Sequence, residues 1–424
     1  MIKNIIAGFC LLFSGVVFSQ ESNASPYSYY GLGDQKFKGT VENISMGGVG
    51  ILRDSIHVNL QNPSTYSSLD YTTFTIGANT SATSLETADA TEKVNRTTLN
   101  YLGIGLPVSN KAGIALGIMP YTSVGYKVDN IVTGADDIER FSRFNGKGGL
   151  NRVFFGASYE ITPKFSVGAD INYNFGNIDT ESIVAVSDVQ YATREQNNSH
   201  YGGASFNLAA NYKTRFKNGL TWYSSVIYTP ASTLNTTTTR NLATISLGSS
   251  GNQVVIDDIE QNELKSDTDL PSAFTLGTGF GFERKWFVAA QFTGQESNDM
   301  SNRFNTVDNL AFQNSYKMSL GGYFIPKYNS YTSYLNRITY RAGLRYENTG
   351  LVINNEEIND MALSFGFGFP MGANGNLVAP ANLNLGFEVG KRGTTNAGLI
   401  QENYFNVYLS LSFNDRWFVK RKYF

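Results

Sequence analysis

Few side chains in this chain are equipped for acid–base or nucleophilic chemistry. Among 424 residues there are two histidines, His57 and His200, and one cysteine, Cys10. A nucleophile relayed through imidazole needs a histidine beside a hydroxyl and a carboxylate, and neither histidine lies in a motif that supplies them. Two acidic clusters, Asp136-Asp137-Ile138-Glu139 and Asp257-Asp258-Ile259-Glu260, have enough oxygen ligands to attract calcium. They lack the spaced Asp/Asn, Gly and Glu pattern of a calcium loop and read as solvated loop residues. Gly47-Gly48-Val49-Gly50 superficially resembles a phosphate loop, but no clear strand precedes it and no Lys-Ser/Thr pair follows. These patterns predict no catalytic residue, no metal ligand and no cofactor. The expected protein is not an enzyme.

The elements that surround these residues are more informative. Met1-Ile2-Lys3-Asn4 is a positive start, and Ile5 to Phe18 is an apolar run ending in Ser19-Gln20-Glu21-Ser22. That is the form of a secretory signal peptide, expected over residues 1–20. Cys10 lies inside it, so the mature chain is expected to have no thiol or disulfide chemistry. Nowhere later is there a run of eighteen apolar residues, so a membrane crossing would have to be made by strands. Aromatic residues make up 13% of the chain and charged residues only 16%, with 42 glycines and a net charge of −2. Such a balance offers no pull toward nucleic acid. It suits strands that alternate lipid-facing and lumen-facing side chains.

That alternation starts near Tyr71 and continues to the end of the chain. In residues 165–174, Phe165, Val167, Ala169, Ile171 and Tyr173 alternate with Ser166, Gly168, Asp170, Asn172 and Asn174. In residues 404–413, Phe405, Val407, Leu409, Leu411 and Phe413 are expected to face out, with Tyr404, Asn406, Tyr408, Ser410 and Ser412 facing in. Counting such segments gives about fourteen strands of ~10 residues, the length of a tilted strand that crosses a bilayer. Short connections, such as Val108-Ser109-Asn110 and Thr162-Pro163, alternate with long ones, such as Thr122–Leu150, Gly176–His200 and Pro230–Pro271. Outer-membrane barrels place short turns in the periplasm and long loops outside. A soluble sandwich would carry charge on its polar faces, and a propeller would repeat every ~40–50 residues; neither pattern is present. The expected fold is therefore all-β, a transmembrane antiparallel β-barrel over residues 71–424, with both termini periplasmic in a Gram-negative outer membrane. Trp417 and Phe418 are expected near the periplasmic aromatic girdle.

Residues 21–70 are left over once the barrel is counted, and they are expected to form a plug, or hatch, in its lumen. Ser45-Met46-Gly47-Gly48-Val49-Gly50, then Asp54, Asn62-Pro63-Ser64 and Leu69, resembles the N-terminal signature of the FadL-type long-chain fatty acid transporters. Ser64 stands where that family has Ala. The resemblance implies a fourteen-stranded barrel with an internal hatch, here built on Gly47, Gly48, Gly50, Asp54, Asn62, Pro63 and Leu69. Pro63 would set its turn and Asn62 would hold it by hydrogen bonds. Two functions follow from the resemblance. One is passive transport of hydrophobic small molecules across the outer membrane, with Leu52, Ile56, Val58 and Leu60 supplying apolar lining. The other is a non-transporting scaffold or accessory subunit in an outer-membrane secretion or assembly machine, as in PorV-like members. The partners implied are outer-membrane lipid, hydrophobic small molecules and other outer-membrane proteins.

Overall fold

The structure is a computed structural model, and it describes residues 23–134, 137–248, 252–297, 309–371 and 381–417. Fourteen antiparallel strands close into a barrel. In chain order they are β1 (Thr72–Glu86), β2 (Thr91–Ser109), β3 (Ala112–Thr133), β4 (Glu139–Thr162), β5 (Phe165–Val186), β6 (Ala192–Arg215) and β7 (Thr221–Thr229). They continue as β8 (Ala273–Phe282), β9 (Trp286–Gln295), β10 (Ser315–Phe324), β11 (Thr339–Ile353), β12 (Glu356–Met371), β13 (Ala381–Arg392) and β14 (Gln401–Asp415). Pairing of β14 with β1, from Gln401↔Glu86 to Asp415↔Thr72, closes the ring. Among the described residues no helix is long and apolar enough to cross a membrane.

The period of two in the sequence becomes an inside and an outside because successive side chains of a strand point to opposite faces. On β12, Met361 and Phe365 are 60% and 47% exposed, while Ala362 and Ser364 between them are 3% and 1% exposed. On β14, Phe405, Leu409 and Phe413 are exposed and Tyr408, Ser410 and Ser412 are buried, as the alternation predicts.

The long loops expected from the sequence are mostly strand. β3 runs 22 residues and β4 and β6 run 24 each. A tilted strand needs only ~9–11 residues to cross, so these stand well beyond a bilayer. Thr122–Leu150 is therefore the outer halves of β3 and β4, in register from Thr122↔Leu150 to Thr133↔Glu139. Their polar, weakly alternating sequence has no lipid-facing side to mark it as strand, which is why it reads as loop. Gly176–His200 is likewise the outer halves of β5 and β6. Pro230–Pro271 is a hairpin, Ser232–Leu247 and Gln253–Leu270, whose first strand pairs with the outer half of β6 (Ala192↔Ile245 to Gly202↔Asn235). By contrast β7, β8, β9 and β10 have 9 or 10 residues each, so one side of the barrel is tall and the other short.

One seam is incomplete. β2 and β3 pair only from Leu102↔Ile118 down to Ser109↔Ala112. Above that point a two-residue strand from the N-terminal segment, Asp34–Gln35, pairs with Ser123 and Thr122 of β3 instead. Asn23 lies at the same height, donating from Nδ2 to the Ser123 carbonyl and accepting at its own carbonyl from Arg96 Nε. Asp415 lies at the other level, beside Thr72 at the turn end. Asn23 and Asp415, near the two ends of the described residues, therefore lie at different levels of the barrel.

Candidate functional site

Residues 23–70 contact strands all round the ring, through the residues that point away from lipid. Local sequence explains their shape. Thr40 caps the short helix Val41–Ile44 in a reciprocal capping box with Asn43. Asn43 Nδ2 then donates to the Val49 carbonyl at 2.9 Å, which closes the glycine-rich turn over the helix. Gly47 and Gly48 have φ of +68° and +91°, values that L side chains adopt with strain. A Cβ on Gly47 would also lie 2.6 Å from the Leu344 carbonyl oxygen of β11. Pro63 opens the 3₁₀ helix Pro63–Ser68, with Asn62 as its N-cap. Asn62 Oδ1 accepts from Ser64 N at 3.1 Å and Ser64 Oγ at 2.6 Å. The Ser64 that replaces the family alanine thus gains a bond.

Each predicted plug residue has a definite place. Gly47 N donates to Ser364 Oγ of β12 at 3.0 Å, and Gly50 N donates to Gln291 Oε1 of β9 at 2.9 Å. Gly48 packs against Phe37. Asp54 stays local: it accepts from Ile56 N at 3.0 Å and meets His57 Nδ1 at 2.9 Å. Asn62 and Pro63 lie against β5, where Gly168 leaves room for the Pro63 carbonyl, and Leu69 is buried with Val58 beneath Gly105 of β2. Of the hydrophobic residues offered as channel lining, Leu52, Val58 and Leu60 pack into core clusters. Val58 and Leu60 join Tyr66, Tyr101 and Phe154 in one core cluster, and Leu52 packs on Met46, Val49 and Ile51 in another.

The strongest ties are charged, and pattern reading missed them. Lys38 Nζ is 3.2 Å from Asp170 of β5, whose side chain is wholly buried. Arg53 pairs with Glu160 of β4 at 2.5 Å, and Asp34 with Arg392 of β13 at 2.8 Å. Asn384 of β13 donates to Glu42 Oε1 at 2.8 Å, and Ser25 hydrogen-bonds Glu402 of β14. Further up, Arg345 of β11 gathers Glu347, Asp360 and Glu388 within 3.0–3.4 Å. The inward faces thus carry charged residues among their Gly, Ser, Asn and Thr. The available signal was a charged residue at the polar parity of an alternating strand, as Asp170 is on β5 and Glu388 on β13.

Within the plug, burial pushes the His57 imidazole down, but the Asp54 carboxylate, with Glu42 beyond, outweighs it and holds it protonated above its ordinary range. Burial pushes Asp54 up, and His57 outweighs that, so Asp54 lies below the usual carboxylate range. Among the described residues no group of three or more His, Cys, Asp and Glu is placed to hold a metal ion. Of the acidic clusters, Asp257 and Asp258 lie on the outer hairpin, and Asp136 lies outside the described residues. His200 bonds Asn177 on the barrel wall, far in sequence from His57.

Among the described residues, cavities lie beside residues 23–70. One, of about 880 Å³, is lined by Asp34, Lys36, Arg345, Asp360, Glu388, Arg392 and Glu402 and reaches the incomplete seam at Arg96–Tyr101 and Pro120–Ser123. Another, of about 370 Å³, is lined by Lys36, Lys38, Gln61, Arg152, Gln291 and Glu347 among others. The apolar depressions are outside the ring. One is lined by Leu344, Met361, Leu363, Val389 and Phe405, the other by Leu276, Phe292, Met318 and Leu320.

This architecture is that of the FadL-type outer-membrane channels. A Pseudomonas aeruginosa FadL homologue superposes with a TM-score of 0.60 at 11% identity, over 89% of this chain and 98% of that one. The Ralstonia pickettii toluene transporter TbuX gives 0.55 at 14%, over 90% and 100%. The CymD monoaromatic hydrocarbon channel gives 0.56 at 13%, over 89% and 97%. No curated protein sequence matches. The family model described as BamG matches residues 1–424, and the chain belongs to the BamG family.

Proposed function

We propose that this chain is a plugged outer-membrane barrel of a Gram-negative bacterium, with residues 23–70 as a fixed plug. In this reading it acts as an accessory subunit of an outer-membrane protein secretion or assembly machine. One observation carries the proposal: charged groups gather in the space left inside the ring, Asp34, Lys36, Arg345, Asp360, Glu388, Arg392 and Glu402. A hydrocarbon entering there would strip the water that these ions keep beside their ion pairs, and taking ions out of water costs several kcal/mol each. The plug ties, ionic on the β4, β5 and β13 sides, support a segment that stays in place. The turn end, where Asp415 meets Thr72, would face the periplasm.

Purification in mild detergent tests this. A stoichiometric outer-membrane partner and a lumen free of fatty acid or hydrocarbon by mass spectrometry are expected. A lone protein carrying hydrocarbon in the lumen would overturn the proposal. A second reading, passage of hydrophobic small molecules, is favoured by the seam between β2 and β3, which opens the charged cavity to the side of the barrel. Uptake of toluene into liposomes that is faster with the protein than without it would select that reading.

A further inference from the structure

We infer that the outer hairpin strand Gln253–Leu270 is a docking edge for an extended, basic segment of a partner protein, which adds to it as a further strand. The inference rests on the accessory-subunit reading and names where its partner binds. Among the described residues this strand pairs only with Ser232–Leu247. Its neighbour buries Leu234, Thr236, Thr238, Ala243 and Ile245 against the tall side of the barrel. The edge strand buries almost nothing: residues 253–258 and 261–267 are all exposed, on both faces. Leu264 is 48% exposed, and Val254, Val255 and Ile256 further up the strand are 44–58% exposed. A long strand edge with exposed aliphatic side chains is a template for strand addition, in which main-chain hydrogen bonds give affinity and side chains give selectivity.

Charge decides the occupant. Along the lower part of the strand Glu263, Asp267 and Asp269 stand against Lys265 alone, and Asp257 and Asp258 add negative charge above it. A second copy pairing edge to edge would set carboxylates opposite carboxylates, which destabilises cross-strand pairs. A strand with Lys or Arg at alternate positions would complement them. Register shifts at Val255/Asp257 and Asp258/Glu260 break the upper part of the strand, whereas Glu260↔Leu242 to Leu270↔Ser232 is unbroken. The regular lower part is therefore the docking stretch, and the bulged upper part ends it, because a bulge interrupts the ladder and adds twist.

The test uses the full-length protein in detergent and a labelled ten-residue peptide alternating Lys and Val. The expected result is binding at least tenfold tighter than that of the Glu–Val counterpart, lost when two central residues of the probe are proline. The triple variant E263K/D267K/D269K, checked for an unchanged heat-modifiable barrel, should reverse the preference toward the Glu–Val peptide. Equal binding of the proline-interrupted probe, or an unreversed preference, would overturn strand addition here. So would self-association of the triple variant with undiminished Lys–Val binding, since the acids would then serve only to keep copies apart. In the cell, a stoichiometric partner held by the wild type and lost from the triple variant supports the docking edge. A partner retained by both overturns the edge and leaves the accessory reading standing. A wild type with no partner overturns that reading itself.

Discussion

The two faces of the barrel wall are built from the same strands and hold opposite chemistry. On β12 and β14 the outward positions are Met361, Leu363, Phe365, Phe405, Leu409 and Phe413, and the inward ones are Ala362, Ser364, Tyr408, Ser410 and Ser412. The outward face needs only to be apolar, since lipid adapts to its shape. The inward face must fit one particular segment of chain. It does so with glycines where plug backbone comes close, as at Gly168 beside Pro63 and Gly343 beside Gly47, and with single charged residues where the plug presents the opposite charge. A substitution outside should therefore be judged by polarity and one inside by its partner.

The inner face is most vulnerable at the Lys38–Asp170 pair. Replacing Lys38 with Met leaves a wholly buried carboxylate without its cation, and breaking a buried pair costs about 3–5 kcal/mol. The unfolding midpoint in denaturant should fall accordingly, and K38M/D170N should recover much of it; no recovery would mean that the pair is not what holds the plug on that side. On the outer face, Leu363→Lys should destabilise by about 2–4 kcal/mol if the site lies near the bilayer midplane. Folding titrations into lipid vesicles measure this, and the same variant in detergent should lose little. An equal loss in both would show that Leu363 packs against protein rather than lipid. Asn62→Ala removes the cap of the Pro63–Ser68 turn, for about 1 kcal/mol. Amide exchange should quicken in residues 62–69 while the strands keep their protection. Exchange quickening across the whole barrel would show that plug and wall unfold as one unit.

The smallest effect is one of pH. The folded His57 titrates above its unfolded value, so its contribution to plug stability is complete below the ordinary imidazole value of about 6.5. It is lost as pH rises through the raised folded value. The protection of residues 54–61 relative to the intrinsic, base-catalysed exchange rate should fall on passing from neutral to alkaline pH in the wild type, and His57→Gln should flatten that dependence. A profile unchanged in the variant would assign the pH response to another group.

Much of this was legible before folding. Alternation located all fourteen strands, because a wall one residue thick between lipid and lumen must alternate at every step. The turns of residues 23–70 were legible through Gly47, Gly48 and Asn62-Pro63, which need a positive φ or a capped turn and so leave a local mark. The charged ties were not legible as pairs. Lys38 and Asp170 are 132 residues apart, and nothing near either names the other. The outer halves of β3 to β6 also escaped, since strands clear of lipid lose the greasy parity that marks a crossing.

The alternation, the number of crossings and the segment left over can all be read from the order of residues alone. These are local properties, set by the period of a strand and by the length needed to span hydrocarbon. Folding settles what the leftover segment touches, where charged groups gather in the remaining space, and that the N-terminal segment takes the place of part of the β2–β3 ladder. Those depend on which strands the closure of the ring brings around the segment, and closure joins residues as distant as Thr72 and Asp415.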